Sequence, residues 1–190
     1  MVDKRVARAL QEHASLAASF SSQAEVLGGC AQELAALFHR GGRLLTLGSG
    51  PCGAIASLTA NLFLHRLALE RPLLPAVSLC HDAVLATALA RDRLGHDYFA
   101  RQLRSLACSG DLLLVFAGPH QEEALAQALA AAREIGCVIA VVVQGAGEAL
   151  AEPPDFLFRL ATDSVPRALE GCLLFSHLLV ELVEGELFGI

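Results

Sequence analysis

Residues 48–53 read Gly-Ser-Gly-Pro-Cys-Gly, a G-x-G-x-x-G spacing. A loop of this kind can cradle a pyrophosphate on backbone N–H groups when it follows a strand and opens a helix. Pro51 removes one N–H from that cradle, and no acidic residue ends a second strand at the distance a ribose would need. A tight turn carrying some other anion, or none, is the better account. Cys52 would sit at a helix N-terminus, where a thiol pKa falls, although the sequence places no base beside it. Ala117-Gly118-Pro119-His120 forms a second turn with one imidazole and no hydroxyl, which is poor anion chemistry. His120 is either a catalytic or phosphate-contacting group or the cap of the helix that follows. Asp92 with His96, and His177 with Glu181, are each four residues apart, a spacing that puts both members on one helix face. Such pairs serve as acid–base couples or metal ligands, and more commonly as ordinary ion pairs.

The elements that must position these residues show in the hydrophobic pattern. Residues 3–40 carry apolar residues at helical spacing in two stretches, stopped by Gly41-Gly42. Short runs rich in Val, Leu and Ile follow at 43–47, 75–80, 111–117, 137–143 and 155–160. Between them lie expected helices at 54–69, 83–91, 97–108, 121–135 and a short one near 146–151, with a long one at 166–187. Strands apolar on both faces and separated by helices predict an α/β fold, a parallel five-stranded sheet covered on both sides. Residues 1–40 form a helical hairpin too small for a core of its own, which packs on the 41–190 domain or on another subunit. The apolar last helix makes a homo-oligomer the expectation.

Composition narrows the function classes. Hydrophobic residues make up 54% and charged residues 18%, so the chain buries a core. With 14 Lys and Arg against 20 Asp and Glu and no basic cluster, direct nucleic-acid binding is disfavoured. The six cysteines stand singly without a C-x-x-C pair, which excludes a zinc ribbon or thioredoxin-type motif. The longest apolar runs, 112–117 and 138–143, fall far short of the roughly 20 residues of a membrane span. A cytoplasmic protein without a membrane anchor is expected.

The order of the segments GGRLLTLGSGPCG, ERPLLPAVSL, LARDRLGHDYFARQL, SGDLLLVFAG and ALAAAREIG, followed by the helix bearing Arg167, His177 and Glu186, resembles sugar isomerase (SIS) domains. The similarity runs from about residue 20 to 188 and is closest to phosphoheptose isomerases and DiaA-type replication-initiator-associating proteins. It implies a flavodoxin-like three-layer sandwich with an N-terminal helical hairpin, assembled as a homotetramer with ligand sites between subunits. It also implies a zinc site, carried by a His and a Glu on the helix after the glycine loop and by a Gln and a His on the last helix. These positions fall on Leu58, Leu62, Leu169 and His177, so one ligand of four remains and no metal cofactor is expected. The family's hydroxyl-rich phosphate loop falls on Ala117 to His120, and its Asn-Asp substrate pair on Arg91 and Asp92.

The expected function is therefore a non-catalytic SIS protein. It would bind a sugar phosphate or other carbohydrate derivative weakly, act as an oligomeric regulatory scaffold, or do both, with a replication initiator as one protein partner the resemblance implies. Ser49, Gly50, Pro51, Cys52, Arg91, Asp92, Gly118, His120 and His177 are the expected cleft residues, an anion leaning on the amides of 49–53. The alternative is an active aldose–ketose isomerase in which His120 or His177 is the base and Asp92 its orienter.

Overall fold

The computed structural model describes residues 2–120, 122–145, 150 and 152–189. Helix α1 (Val2–Ser19) passes through a 3-10 turn at Phe20–Gln23 into α2 (Ala24–His39). Strand β1 (Leu44–Gly48), α3 (Pro51–Leu64), β2 (Ala76–Ser78) and α4 (Ala83–Arg91) follow. A 3-10 turn at Gly95–Asp97 leads to α5 (Tyr98–Leu106), β3 (Leu112–Ala117), α6 (Glu123–Ile135), β4 (Val138–Gln144), β5 (Phe156–Leu160) and α7 (Val165–Phe188).

The strands form one sheet in the order β2-β1-β3-β4-β5, and every pairing is parallel. This is the flavodoxin-like order, and its direction reverses between β1 and β3. Alternation along each strand divides the core into two layers. Leu112, Leu114 and Phe116 of β3 face Leu34 of α2, Phe63 of α3 and Phe175 and Leu179 of α7. Leu113, Val115 and Ala117 face Leu103 of α5 and Ala128, Leu129 and Ala132 of α6. Both faces are apolar because both are covered, as the runs of Val, Leu and Ile imply.

The N-terminal helices differ in how they are held. α2 buries Leu27, Cys30, Ala31, Leu34, Ala35 and Leu37 and lies on α7 and β5. α1 buries Leu16 and is fastened at its C-terminal half. His13 Nδ1 lies 2.7 Å from Glu170, and Arg167 donates to the Ala9 carbonyl at 2.8 Å.

Two helix boundaries depart from the sequence pattern. The helix expected at 54–69 begins at Pro51, because a proline in the first turn has no intrahelical N–H bond to lose. It ends at Leu64, where the Arg71 guanidinium reaches back to the carbonyls of Leu62 and Phe63 at 2.7 and 2.9 Å. The helix expected at 97–108 is α5, preceded by the 3-10 turn and by Arg93 in the left-handed region with φ 58°. The short helix expected near 146–151 falls almost wholly outside the described residues.

Candidate active site

The glycine loop is a tight turn. A Cβ on Gly48 would lie 2.8 Å from the Cys52 backbone carbonyl, and one on Gly53 would lie 2.9 Å from the Gly48 oxygen. Gly50 takes φ 52°, which glycine adopts without strain. The turn is closed by Cys52 N–H donating to Ser49 O at 3.1 Å and Gly53 N–H to Gly50 O at 3.0 Å. Two of the amides expected to hold an anion, those of Cys52 and Gly53, are thus engaged within the loop.

The loop separates two clefts at the carboxyl ends of the strands, where ligands of open α/β sheets bind. The first, of about 380 Å³, is lined by Ser49 to Cys52, by Ala117 to Pro119 and Glu122, and by Gln144. Its far wall comes from the start of α7, with Leu169 and Cys172. It opens where the strand order reverses between β1 and β3. The second, of about 670 Å³, shares Ser49 and Gly50 and adds Ser57, Cys80, His81 and Tyr98. Burial raises the Tyr98 hydroxyl pKa there.

Electrostatics distinguish the first cleft. Glu122 is the N-cap of α6, and its Oε1 accepts a hydrogen bond from the Ser49 hydroxyl at 2.6 Å. A carboxylate is stabilised at a helix N-terminus by the partial positive charge there. Among the described residues lining this cleft, Glu122 is the one carboxylate and none is basic.

Cys52, in the first turn of α3, and Cys172, buried on α7, both line this cleft. The hydrogen bond from the Cys172 thiol holds the Cys52 thiol below its ordinary pKa, against burial and the Glu122 charge. The same hydrogen bond, with burial, raises the Cys172 thiol.

The structure thus brings Ser49, Gly50, Pro51, Cys52 and Gly118 together. His120 stands exposed beside them at the rim of a narrow apolar recess with Pro119, Glu122 and Leu125. Arg91 and Asp92 do not join this cleft. They sit at the end of α4, largely exposed, and pair with each other at 3.1 Å. Asp92 does not couple with His96, because the chain turns at Arg93 between them and His96 lies 3.7 Å from Asp97 instead. His177 is half-buried on α7 two turns beyond Leu169, and no hydrogen bond joins it to Glu181.

The zinc that the resemblance implies does not fit this chain. Zinc takes nitrogen, sulfur or oxygen ligands, and three of the four positions are leucine. Leu169 lines the cleft, Leu62 packs at the core edge, and Leu58 is 40% exposed, so the three do not fill one closed pocket. Among the described residues no group of three or more His, Cys, Asp or Glu could hold a metal ion.

Sequence reasoning missed Glu122, Gln144 and Cys172. Glu122 reads as one of two glutamates opening a helix, Gln144 as the polar end of a strand, and Cys172 as a small core residue. Only the fold brings them to the loop.

Comparison with known proteins places this architecture. The SIS domain profile matches residues 10–143. A phosphoheptose isomerase of Trichlorobacter lovleyi is 30% identical over 186 residues, 97% of this chain and 95% of that protein. One of Solidesulfovibrio magneticus is 33% identical over 175 residues, 92% of this chain and 85% of that protein. The solved structure of a phosphoheptose isomerase from Francisella tularensis superimposes with a TM-score of 0.89, covering 96% of this chain and 98% of that one at 22% identity. No helix among the described residues is long and apolar enough to cross a membrane. The chain belongs to the SIS-domain family, as a phosphoheptose isomerase-like member of it.

Proposed function

We propose that the first cleft binds a carbohydrate derivative without isomerising it, favouring an uncharged ligand over a phosphorylated one, and that the chain works as an oligomeric regulatory scaffold. The Glu122 carboxylate carries this reading. It is borne by the N-cap residue of α6, beside the helix end where a phosphate would dock, and no basic side chain among the described lining residues offsets it. Ser49 and Gln144 supply the polar groups that sugar hydroxyls need. Relatives named phosphoheptose isomerase support a sugar as the ligand class.

The chemistry argues in the same direction. Aldose–ketose isomerisation moves a proton between neighbouring carbons, and a positioned acid–base group typically contributes about 10²–10⁴-fold. Asp92 pairs with Arg91 and orients neither imidazole, and His177 does not line the cleft.

The test is thermal unfolding of the whole protein with sedoheptulose 7-phosphate, with sedoheptulose and with a panel of neutral sugar derivatives, each followed by a turnover assay. A ligand at 100 times its Kd stabilises by about 2.7 kcal/mol, or roughly 5–10 °C for a domain of this size. A shift with a neutral sugar and no turnover is the expected result. Conversion of sedoheptulose 7-phosphate, lost in His120→Ala, would overturn it in favour of an active isomerase.

A further inference from the structure

Two thiols 120 positions apart in the chain line one ligand-sized cleft and share a hydrogen bond, one at a helix N-terminus and one in the core. The other four cysteines are placed differently. Burial pushes the Cys30 thiol up to about 12 and the Cys137 thiol up to about 11, Cys108 is exposed beside Arg43, and Cys80 faces the second cleft. A helix N-terminus and a donor thiol both favour thiolate at Cys52, the form that attacks disulfides.

We propose that Cys52 and Cys172 form a redox-responsive dithiol, a modification site that takes a low-molecular-weight disulfide as oxidant and closes to a disulfide across the cleft. The Cys52 thiolate attacks one sulfur of the disulfide RSSR and expels RS⁻, which takes up a proton. Cys172 then gives up its proton, and its sulfur attacks the Cys52 sulfur of the mixed disulfide, expelling a second RS⁻ that takes that proton. In sum, two protein thiols are oxidised by two electrons and RSSR is reduced to two RSH. The new bond ties the first turn of α3 to α7 and fixes the wall that carries Ser49 and Leu169. Bond formation is independent of what the cleft binds, whereas its effect on a ligand rests on the reading of the cleft given above.

The experiment treats the full chain, carrying Cys108→Ser to remove the exposed thiol, with glutathione disulfide and maps the peptides by mass spectrometry. The expected result is loss of two thiols, a mass lower by two hydrogens, and one cross-linked peptide joining Cys52 to Cys172. Adding Cys172→Ser should arrest the reaction as a glutathione adduct on Cys52, and Cys52→Ser should abolish both products. In the reduced protein, iodoacetamide should alkylate Cys52 at least tenfold faster than Cys30 or Cys137. A glutathione adduct that persists on Cys52 while Cys172 is intact, or a Cys52 no more reactive than Cys30, overturns the proposal without recourse to any variant in the core. If no disulfide forms while a sugar still shifts the unfolding midpoint, the dithiol falls and the reading of the cleft stands. If the disulfide forms and no sugar binds in either state, only that reading falls.

Discussion

The Ser49 hydroxyl donates to Glu122 at 2.6 Å, joining the loop after β1 to the N-cap of α6 across 73 positions of sequence. This bond holds a negative charge between two helix N-termini that could otherwise receive an anionic ligand. Two unit charges about 4 Å apart repel by about 4 kcal/mol at an effective dielectric of 20. Glu122→Gln keeps the shape and removes the charge. It should tighten binding of a phosphorylated sugar by at least about tenfold, read by calorimetric titration, and leave a neutral sugar's affinity nearly unchanged. Equal affinity of both proteins for the phosphorylated sugar would remove Glu122 as the discriminating group.

Gly53→Ala tests the turn that separates the two clefts. The added methyl would meet the Gly48 carbonyl oxygen at 2.9 Å, and that oxygen is backbone rather than the far end of a flexible side chain. A loss of about 1–3 kcal/mol in urea unfolding is expected, within the usual range for a single strained or overpacked site. Gly28→Ala, where the new Cβ meets nothing within 4 Å, is the control and should cost nothing or add a few tenths of a kcal/mol.

Arg71 and Glu184 form a buried ion pair at 2.6 Å, with side chains 1% and 7% exposed. Removing one partner leaves the other charge buried, a change that typically costs about 3–5 kcal/mol. Glu184→Ala should therefore lower the unfolding midpoint by roughly 6–20 °C. Arg71→Met combined with Glu184→Leu should recover only part of the loss, because Arg71 also satisfies the last carbonyls of α3.

Alkaline pH should destabilise the fold through its buried thiols. A thiol whose native pKa is raised keeps its proton in the fold while the unfolded chain releases its own. The contribution is whole below the ordinary value of 9.0 and falls as pH rises toward about 12 for Cys30 and about 11 for Cys137. Each thiol adds a slope of about 1.4 kcal/mol per pH unit in that window. Urea unfolding measured from pH 8 to pH 11 should show the decline, and Cys30→Ala should flatten it. A pH-independent midpoint would contradict the assignment.

Val2, Val6 and Leu10 form an exposed apolar stripe at successive turns of α1. If the oligomer is built through this helix, Val6→Glu with Leu10→Glu should lower the sedimentation mass to that of one chain without lowering the secondary-structure content. An unchanged mass would move the subunit contact to another face.

The fold was legible because its strands are buried on both sides, so β3 and β4 read as continuous Leu and Val runs. Helix boundaries were less legible where one residue overrode the periodicity, Pro51 by starting α3 early and Arg71 by closing it early. The site was half legible. Ser49, Gly50, Pro51, Cys52 and Gly118 follow strands directly, and strand ends converge in any open sheet. Glu122 and Cys172 could not be found this way, because an acid in a helix's first turn and a cysteine in an apolar helix are ordinary locally. Asp92 and His96 failed for the opposite reason: a spacing of four signifies a shared face only inside a continuous helix, and Arg93 breaks this one.

The wholly parallel sheet sets how the chain can fold as well as what it becomes. No neighbouring strands can meet through a hairpin, and the central β1–β3 pairing joins Leu44 to Leu112 only after α3, β2, α4 and α5 have been strung between them. Closing so long a loop is an entropic cost met before any native contact offsets it, which slows folding relative to chains rich in local contacts. During synthesis β1 can pack on α3 and pair with β2 first, but its other edge must wait, unpaired, until β3 has emerged. In that interval a newborn chain of this sequence depends most on chaperones.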